Sequence, residues 1–268
     1  FFVATILYTA ARAYRSGKVA WFVAAGVSAG LGMYTYTAFG AIWVALLGLL
    51  VAVLIWRRKW WSENYKRVAI AAITTLIVLL PLIVTIVRNP ADSTARAGGT
   101  SFLNNSLNQG KPMQTLAVNT YKTIIQYNLV GDQNSRHNIP SQPLLNVFVG
   151  IAFVVGVLLA CYYFKQLRYS TLLAMLVVMM LPAAVSAESM PHALRSIGTA
   201  VPVFVLSGVG INYILQRWYQ TFPLNTLARV IGLLLILFLL GLTVVQGVKG
   251  YFWAWGQDPS TYAAYSED

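Results

Sequence analysis

The sequence predicts an all-α polytopic membrane protein with about seven to eight transmembrane helices and a long outer loop that carries a surface helix. Of its 268 residues, 58% are hydrophobic and only 10% are charged, whereas a soluble domain carries about 25% charged residues. The apolar residues form runs that approach the roughly 20 residues needed to cross a bilayer. Lys and Arg gather at the ends of these runs, where orientation signals of membrane proteins lie.

The apolar runs set the predicted division of the chain. They cover residues 20–37, 39–56, 68–88, 144–164, 170–187, 197–215 and 230–249, and residues 1–11 are interpreted as the end of an eighth helix. Only helix bonds the backbone internally in such segments. The first two runs are short and nearly continuous, so we expect a tight hairpin that does not fully cross. The division is therefore transmembrane helices in 1–88, a loop in 89–143, four helices in 144–249 and a tail in 250–268.

The basic residues predict the orientation of the spans. Twelve of the nineteen Lys and Arg residues fall in alternate, short connections, and seven fall in the opposite ones. Because short cytoplasmic loops are enriched in Lys and Arg, the richer set is expected in the cytoplasm. Loops 89–143 and 188–196, together with the tail, are then expected on the outer side of the membrane.

The long outer loop contains a predicted surface helix followed by a polar cluster. Apolar residues recur at helical spacing between Met113 and Leu129, which indicates an amphipathic helix lying on the membrane surface. Residues 131–140 are densely polar and lead into the next span. A loop of this length is usually functional or disordered.

The net charge of +12 does not indicate a nucleic-acid partner. The basic residues stand at the ends of apolar runs, and no basic face interleaved with aromatic residues is found. Membrane lipids are the partners that this distribution predicts.

A first group of candidate binding residues lies between two short spans. Glu188, His192 and Arg195 would sit at or just below the membrane surface, where ionisable groups usually face water-filled cavities. The guanidinium of Arg195 suits a phosphate group because it can bind two phosphate oxygens. His192 or Glu188 would orient a polar substrate or bind a cation. The alternative, favoured by spacing alone, is a surface turn in which Glu188 pairs with Arg195 and His192 is solvated.

A second group, Arg136, His137 and Asn138, follows Asp132 in the outer loop. One histidine and one carboxylate do not satisfy the ligand spacing of a metal site, so none is predicted here. As a catalytic dyad the pattern is weak. A polar loop folded by Asx turns is the favoured interpretation.

Two features belong to the apolar run 20–37. The small residues Gly26, Ser28, Gly30 and Gly32 predict close packing of this helix against another. Tyr34 and Tyr36, at its outer end, are interpreted equally well as interfacial aromatic residues or as groups lining a cavity.

Four stretches, in this order, resemble GT-C type membrane glycosyltransferases, the class that contains protein O-mannosyltransferases and the aminoarabinose transferase acting on lipid A. They are residues 30–39 (GLGMYTYTAF), 136–140 (RHNIP), 191–198 (PHALRSIG) with Pro202, and 251–262 (YFWAWGQDPSTY). Each stretch is moderately specific, and the ordered set is more so.

The resemblance implies transfer of a sugar from a polyprenyl-phosphate carrier to an acceptor on the outer face of a bacterial inner membrane. It implies an inverting displacement with an acidic base in the first outer loop, and a divalent metal in many members. That loop is expected upstream of Phe1, in a longer protein, so the catalytic residues are unknown. Arg195 and His192 are the residues that the resemblance places near the carrier phosphate. Arg136, His137 and Asn138 would cover the carrier.

The chain departs from the resembled pattern at two positions, which opens an alternative. Gly40 stands where an Arg is expected, and the run from Ser141 to Asn146 lacks the expected Arg and Asp. The alternative hypothesis is a non-catalytic, GT-C-like structural subunit of a larger membrane complex. A transporter is a weaker hypothesis, since internal repeats and ionisable residues at the centres of the spans are not visible.

Overall fold

The computed structural model describes residues 1–90, 99–188 and 190–266. Arg96, which contributes to the outer charge count, and Ser189, within the 188–196 loop, lie outside the described residues. The described part of the chain is helical and contains no strand; one isolated antiparallel bridge joins Ser101 and Ser186. The predicted all-α class is confirmed.

The helices, in chain order, are α1 (Phe2–Ser16), α2 (Val19–Gly32), α3 (Ile42–Trp56), α4 (Arg58–Arg88), α5 (Asn105–Asn108), α6 (Pro112–Ile125), α7 (Val147–Tyr162), α8 (Leu167–Ala184), α9 (Ala200–Thr221), α10 (Thr226–Lys249) and α11 (Pro259–Ser266). Two 3₁₀ turns, Thr37–Ala41 and Leu194–Thr199, lead into α3 and α9. A π-helical turn, Gly250–Trp255, extends α10.

Five helical segments are long and apolar enough to cross a membrane within the described ranges: Ala38–Trp56, Arg58–Arg88, Leu167–Ala184, Leu194–Thr221 and Thr226–Trp255. The predicted count of seven to eight is not confirmed. The helices α2 and α7 are apolar but have 14 and 16 residues, which at 1.5 Å per residue gives lengths of about 21 and 24 Å. Both are shorter than the roughly 30 Å hydrocarbon core of a bilayer.

Helices α4 and α10 expose apolar side chains along most of their length. Within α4, Ile73, Leu76 and Ile77 are each more than half exposed. A soluble monomer rarely exposes a continuous apolar surface of this extent, whereas a lipid-facing helix does. The start of α4 also corrects the sequence interpretation, because residues 58–67 continue the helix instead of forming a loop.

Helix α2 packs closely against α4, as its small residues predict. A Cβ placed on Gly26 would lie 2.4 Å from the carbonyl oxygen of Ala71, and one on Gly30 would lie 2.7 Å from Val78. Thr75 reinforces the contact by donating its hydroxyl to the carbonyl of Gly26 at 3.1 Å. Small residues thus allow the two backbones to approach, which is the usual basis of helix association in membranes.

A second close contact joins α7 to α9, and it supports the wall of the site described below. Cβ atoms on Gly156 and Gly210 would each lie 1.9 Å from a carbonyl oxygen of the opposite helix, those of Leu206 and Ala152. At the start of α7, Asn146 accepts a hydrogen bond from the amide of Val149 and donates its side-chain amide to Thr243 of α10. These contacts hold α7, α9 and α10 together.

Three separate segments meet at one end of the helices. The carboxylate of Asp132 accepts a hydrogen bond from the amide of Ala193, so loop 131–142 contacts the segment before α9. The indole of Trp255 donates to the carbonyl of Ser135 at 2.6 Å, which joins the tail to the same loop. The segments that the charge distribution assigns to a single side therefore lie together.

Helix α6 confirms the predicted helix in the long loop, although it ends at Ile125. Its exposed residues include Met113, Tyr121 and Ile124, while Asn119 and Thr123 are buried. The amide of Asn119 donates to the carbonyl of Ser186, and this bond fixes the buried face to the end of α8. A polar buried face with an apolar exposed face is the reverse of a soluble surface helix, and it suits contact with lipid.

Candidate functional site

Loop 131–142 is closed at its base and shaped by Asx turns. The amide of Gly131 donates to the carbonyl of Ser141 at 3.1 Å, and the amide of Ser141 donates back to the carbonyl of Asp132 at 2.9 Å. A Cβ on Gly131 would lie 1.8 Å from the carbonyl oxygen of Gln142, so only glycine fits there. Within the loop, Asp132 and Asn134 each accept a hydrogen bond from the amide two residues ahead. The Asx-turn interpretation of this loop is therefore confirmed.

The loop delivers Asp132 to a buried position between two partners. Its side chain is 1% exposed. One carboxylate oxygen, Oδ2, lies 2.9 Å from Nδ1 of His137 and accepts the amide of Ala193 at 2.8 Å. The other oxygen accepts the amide of Asn134 at 2.8 Å. Burial opposes the charged carboxylate, but these hydrogen bonds outweigh it and keep the pKa of Asp132 below its ordinary value.

His192 completes this cluster from the segment before α9. Its ring stacks on that of His137, with centroids 4.6 Å apart and an interplanar angle of 26°. The ring is buried, with 7% of the residue exposed, so the expected solvated histidine is wrong. Burial, together with the positive charge of Arg195, lowers the pKa of His192 to about 4. The ring is consequently neutral at pH 7.

Glu188 and Arg195 form the local ion pair that their spacing predicts. The guanidinium Nη2 lies 2.7 Å from the carboxylate of Glu188, and Nη1 donates to the hydroxyl of Ser186. The Glu188 side chain is 54% exposed and that of Arg195 is 15% exposed. The pair lies beside the buried cluster, but its carboxylate remains in contact with solvent.

The tail packs over the far side of loop 131–142 and holds Arg136. The Nε of Arg136 donates to the carbonyl of Ala264, and the hydroxyl of Tyr265 donates to the carbonyl of Arg136 at 2.7 Å. Helix α11 is thereby fixed to the loop by a side chain and by the backbone. Of the residues in this contact, Arg136 belongs to the 136–140 stretch that carries part of the sequence resemblance.

A cavity of about 620 Å³ opens between this loop, the Leu194–Thr199 turn and the start of α9. One part of its wall carries polar groups and the other part is apolar. The polar residues are Tyr127, Arg136, His137, Ser196, Thr199 and Tyr265, and the apolar ones include Leu144, Leu145, Ile197, Val203 and Phe204. Such a wall suits a ligand that has a charged or polar head and a hydrocarbon part.

The site residues predicted from the sequence divide into those at the cavity, those on the segments beside it, and Tyr34 and Tyr36, which lie apart from it. His137 and Arg136 line the cavity, and His192 contacts His137. Glu188 and Arg195 pair with each other on the neighbouring segment, while Asn138 donates its amide to the carbonyl of Gln142 at 2.6 Å and helps to close the loop.

Tyr34 and Tyr36 lie elsewhere. The hydroxyl of Tyr34 donates to the carbonyl of Val78 on α4 at 2.7 Å, and neither tyrosine is among the described residues that line the cavity. Tyr34 thus anchors the end of α2 to a neighbouring helix.

Sequence reasoning missed Tyr127 and Thr199, which form a buried contact in the cavity wall. The Tyr127 hydroxyl and the Thr199 hydroxyl are 2.7 Å apart. Burial raises the pKa of Tyr127 to about 12. They are separated by 72 residues, and no local spacing predicts such a pair. Ser196, which also lines the cavity, could have been predicted as a site residue because it belongs to the 191–198 stretch.

The two departures from the resembled pattern have different structural settings. A Cβ on Gly40 would meet no atom within 4 Å, so this position has open space around it. Asn146 uses its amide to donate to Thr243, a bond that an ionised aspartate could not make. The asparagine therefore donates a hydrogen bond to α10 that the expected aspartate could not donate.

The cluster can perform proton transfer or bind a cation. When Nδ1 of His137 carries the proton shared with Asp132, Nε2 keeps a lone pair that can accept a proton or ligate a metal. A carboxylate that orients a histidine in this way is common to catalytic dyads and to metal sites.

No protein-family model, curated protein or solved structure matches this chain.

Proposed function

We propose that this chain is the carrier-binding membrane portion of a GT-C-like glycosyltransferase that takes a sugar from a polyprenyl-phosphate carrier to an acceptor on the outer face of a bacterial inner membrane. The observation that carries the proposal is the cavity, whose polar wall near Arg136 and His137 adjoins an apolar wall formed by residues such as Val203 and Phe204. A polyprenyl phosphate combines the same two chemistries in one molecule.

In this proposal the phosphate lies near Arg136 and His137, and the isoprenoid chain runs along the apolar wall toward the membrane-spanning part of α9. The guanidinium of Arg136 provides charge-assisted hydrogen bonds to phosphate oxygens. Arg195 is a second candidate cation, because the carboxylate of its partner Glu188 is 54% exposed and a phosphate can compete with it from solvent. The tail, with Tyr265 in the cavity wall, covers the bound head group.

The binding test uses the protein in lipid nanodiscs with a photoreactive polyprenyl phosphate as the probe. The Arg136→Gln variant is expected to weaken binding about 10-fold or more, since a hydrogen bond to a charged group contributes about 1.5–3 kcal/mol. Lys111→Gln is the matched control, because it removes the same charge from an exposed position of the outer loop. Equal binding by both variants and the wild type would contradict the proposed head-group site.

A steric test addresses the apolar wall. The Ala200→Trp variant places a large ring at a cavity-lining position of α9, whereas Val205→Trp places it at a position of the same helix that is 44% exposed and outside the cavity wall. We expect only Ala200→Trp to abolish labelling of the protein by the probe. Mannose transfer from polyprenyl-phosphate-mannose, measured with the full-length protein, then tests the transferase assignment itself.

A non-catalytic structural subunit is the second candidate, and a specific observation favours it. Arg195 is engaged by Glu188 and Ser186, and Arg136 by the tail, so a polyanionic carrier must compete for both cations. Stable co-purification with other membrane proteins, together with no labelling by the polyprenyl phosphate probe, would favour this candidate over the transferase.

A further inference from the structure

The cluster of Asp132, His137 and His192 brings together three side chains that commonly ligate metals. Their ligand atoms all lie within 4.8 Å of one another. Asp132 and His192 are buried, and the His137 side chain is 13% exposed. These three residues come from two segments that are more than fifty positions apart in the chain, so the fold itself assembles the set.

We propose that Asp132, His137 and His192 bind a divalent transition-metal ion of the zinc class. Two imidazole nitrogens and one carboxylate oxygen form a ligand set that zinc accepts at sites where one position stays open. Magnesium and calcium prefer oxygen ligands throughout. The donor set therefore selects a borderline transition metal over these two hard cations.

The distances permit a shared ion with a small adjustment. Ligand atoms at about 2.0–2.1 Å from zinc are separated by about 3.4 Å in a tetrahedron. The Oδ2 of Asp132 and Nδ1 of His137 are 2.9 Å apart, so this pair must open by about 0.5 Å, and Nδ1 must give up its proton, for an ion to lie between them. The ligand atoms of the three residues lie within 4.8 Å of one another. Turning one imidazole ring can shorten the widest of these separations by about 1.4 Å, to the distance expected between two zinc ligands.

The backbone around the carboxylate supports this arrangement. The amides of Asn134 and Ala193 each donate to Asp132 at 2.8 Å, and such outer hydrogen bonds hold ligating carboxylates in place. His137 also lines the cavity, so the open position of the ion would face the space where a ligand enters. The site requires no lipid carrier, and it goes beyond the proposed glycosyl transfer.

The test measures metal content in the absence of lipid carrier and of activity. Protein carrying an affinity tag without histidine is purified in detergent, stripped with EDTA and titrated with Zn²⁺ or Co²⁺. The chain has only two histidines, so imidazole ligation can come only from this cluster. A Cys161→Ser background removes the single cysteine, which is exposed. About one zinc per chain and a visible Co²⁺ absorption band of a four- or five-coordinate site are expected.

Single variants locate the site. His137→Gln, His192→Gln and Asp132→Asn are each expected to weaken zinc binding by at least about 10-fold, since even changes in the outer hydrogen-bond partners of ligands cost 10- to 100-fold. Asp258→Asn is the matched control, because it neutralises a carboxylate in the tail. In the Cys161→Ser background, His192→Cys is expected to retain the metal and to add a thiolate-to-Co²⁺ charge-transfer band.

The outcomes separate the metal site from a metal-free hydrogen-bonded cluster. If the wild type binds no zinc, or if the three variants bind it as the Asp258→Asn control does, the proposal is overturned. The His192→Cys spectrum covers the case in which the glutamine variants fail to fold, because a folded thiolate variant without the charge-transfer band contradicts ligation by residue 192. Neither result alters the carrier-binding test, which is read from lipid labelling.

Discussion

Two groups of ionisable residues lie side by side at the same end of the helices, yet they are built differently. Glu188 and Arg195 are seven residues apart, and the carboxylate of the pair is more than half exposed. Asp132 and His137 meet His192 across 55 or more residues, and Asp132 is 1% exposed. The exposed pair depends on a local turn, whereas the buried cluster depends on the folding of loop 131–142 against the segment before α9.

This difference predicts which of the two groups contributes more to the free energy of unfolding. An exposed ion pair contributes about 0–1 kcal/mol, because solvent and salt screen it. A buried carboxylate with three hydrogen-bond donors is costly to disturb, since removal leaves its partners unsatisfied in a dry environment. We therefore expect the buried cluster to hold the loop in place, while the exposed pair remains available for exchange with a ligand.

The largest effect is expected for Asp132→Ala. The change leaves the amides of Asn134 and Ala193 without acceptors and removes the partner of His137. We expect the free energy of unfolding to fall by about 3–5 kcal/mol. Unfolding is followed by tryptophan fluorescence in detergent containing EDTA, so that metal binding does not contribute. A loss no greater than that of Glu188→Ala would show that the two groups are equally solvated.

An intermediate effect is expected for Tyr127→Phe, which tests a buried contact without charge. The hydroxyl of Tyr127 bonds that of Thr199 inside the cavity wall. Its removal is expected to cost about 0.5–1.5 kcal/mol, the usual contribution of a neutral hydrogen bond. Tyr121→Phe on α6 is the control, because Tyr121 is 62% exposed. If Tyr127→Phe lowers the free energy of unfolding as much as Asp132→Ala does, the charge of Asp132 does not explain why the buried cluster is costly to disturb.

The sequence predicts those features that depend on neighbours within one or two helical turns. The all-α class, the close helix packing at Gly26 and Gly30, the Asx turns and the Glu188–Arg195 pair all follow from local composition or spacing, whereas the identity of α4 as the packing partner does not. Each of these reflects an interaction whose partners are close in sequence, or a small side chain that permits approach of any neighbour.

The number of spans and the buried cluster depend on information that local spacing lacks. Helices α2 and α7 are apolar but end early, at Gly32 and Tyr162, and hydropathy alone does not locate those ends. The histidines were assigned to separate groups because nothing in their spacing indicates that loop 131–142 contacts residues 192–193. The contacts of Asp132 with His137 and Ala193, and of His137 with His192, are found only in the folded structure.

The smallest effect is expected for Glu188→Gln, which tests the Glu188–Arg195 pair against the buried cluster. The variant removes the charge that holds Arg195, so the free energy of unfolding is expected to fall by about 0–1 kcal/mol. Raising the salt from 0.1 to 1 M shortens the screening length from about 10 to 3 Å, and it should remove most of the difference from wild type. The same salt change should leave the Asp132→Ala difference nearly intact, because that group is shielded from solvent ions. A salt-independent loss for Glu188→Gln would mean that Glu188 and Arg195 act as a buried pair, and Arg195 would then be unavailable to a carrier phosphate.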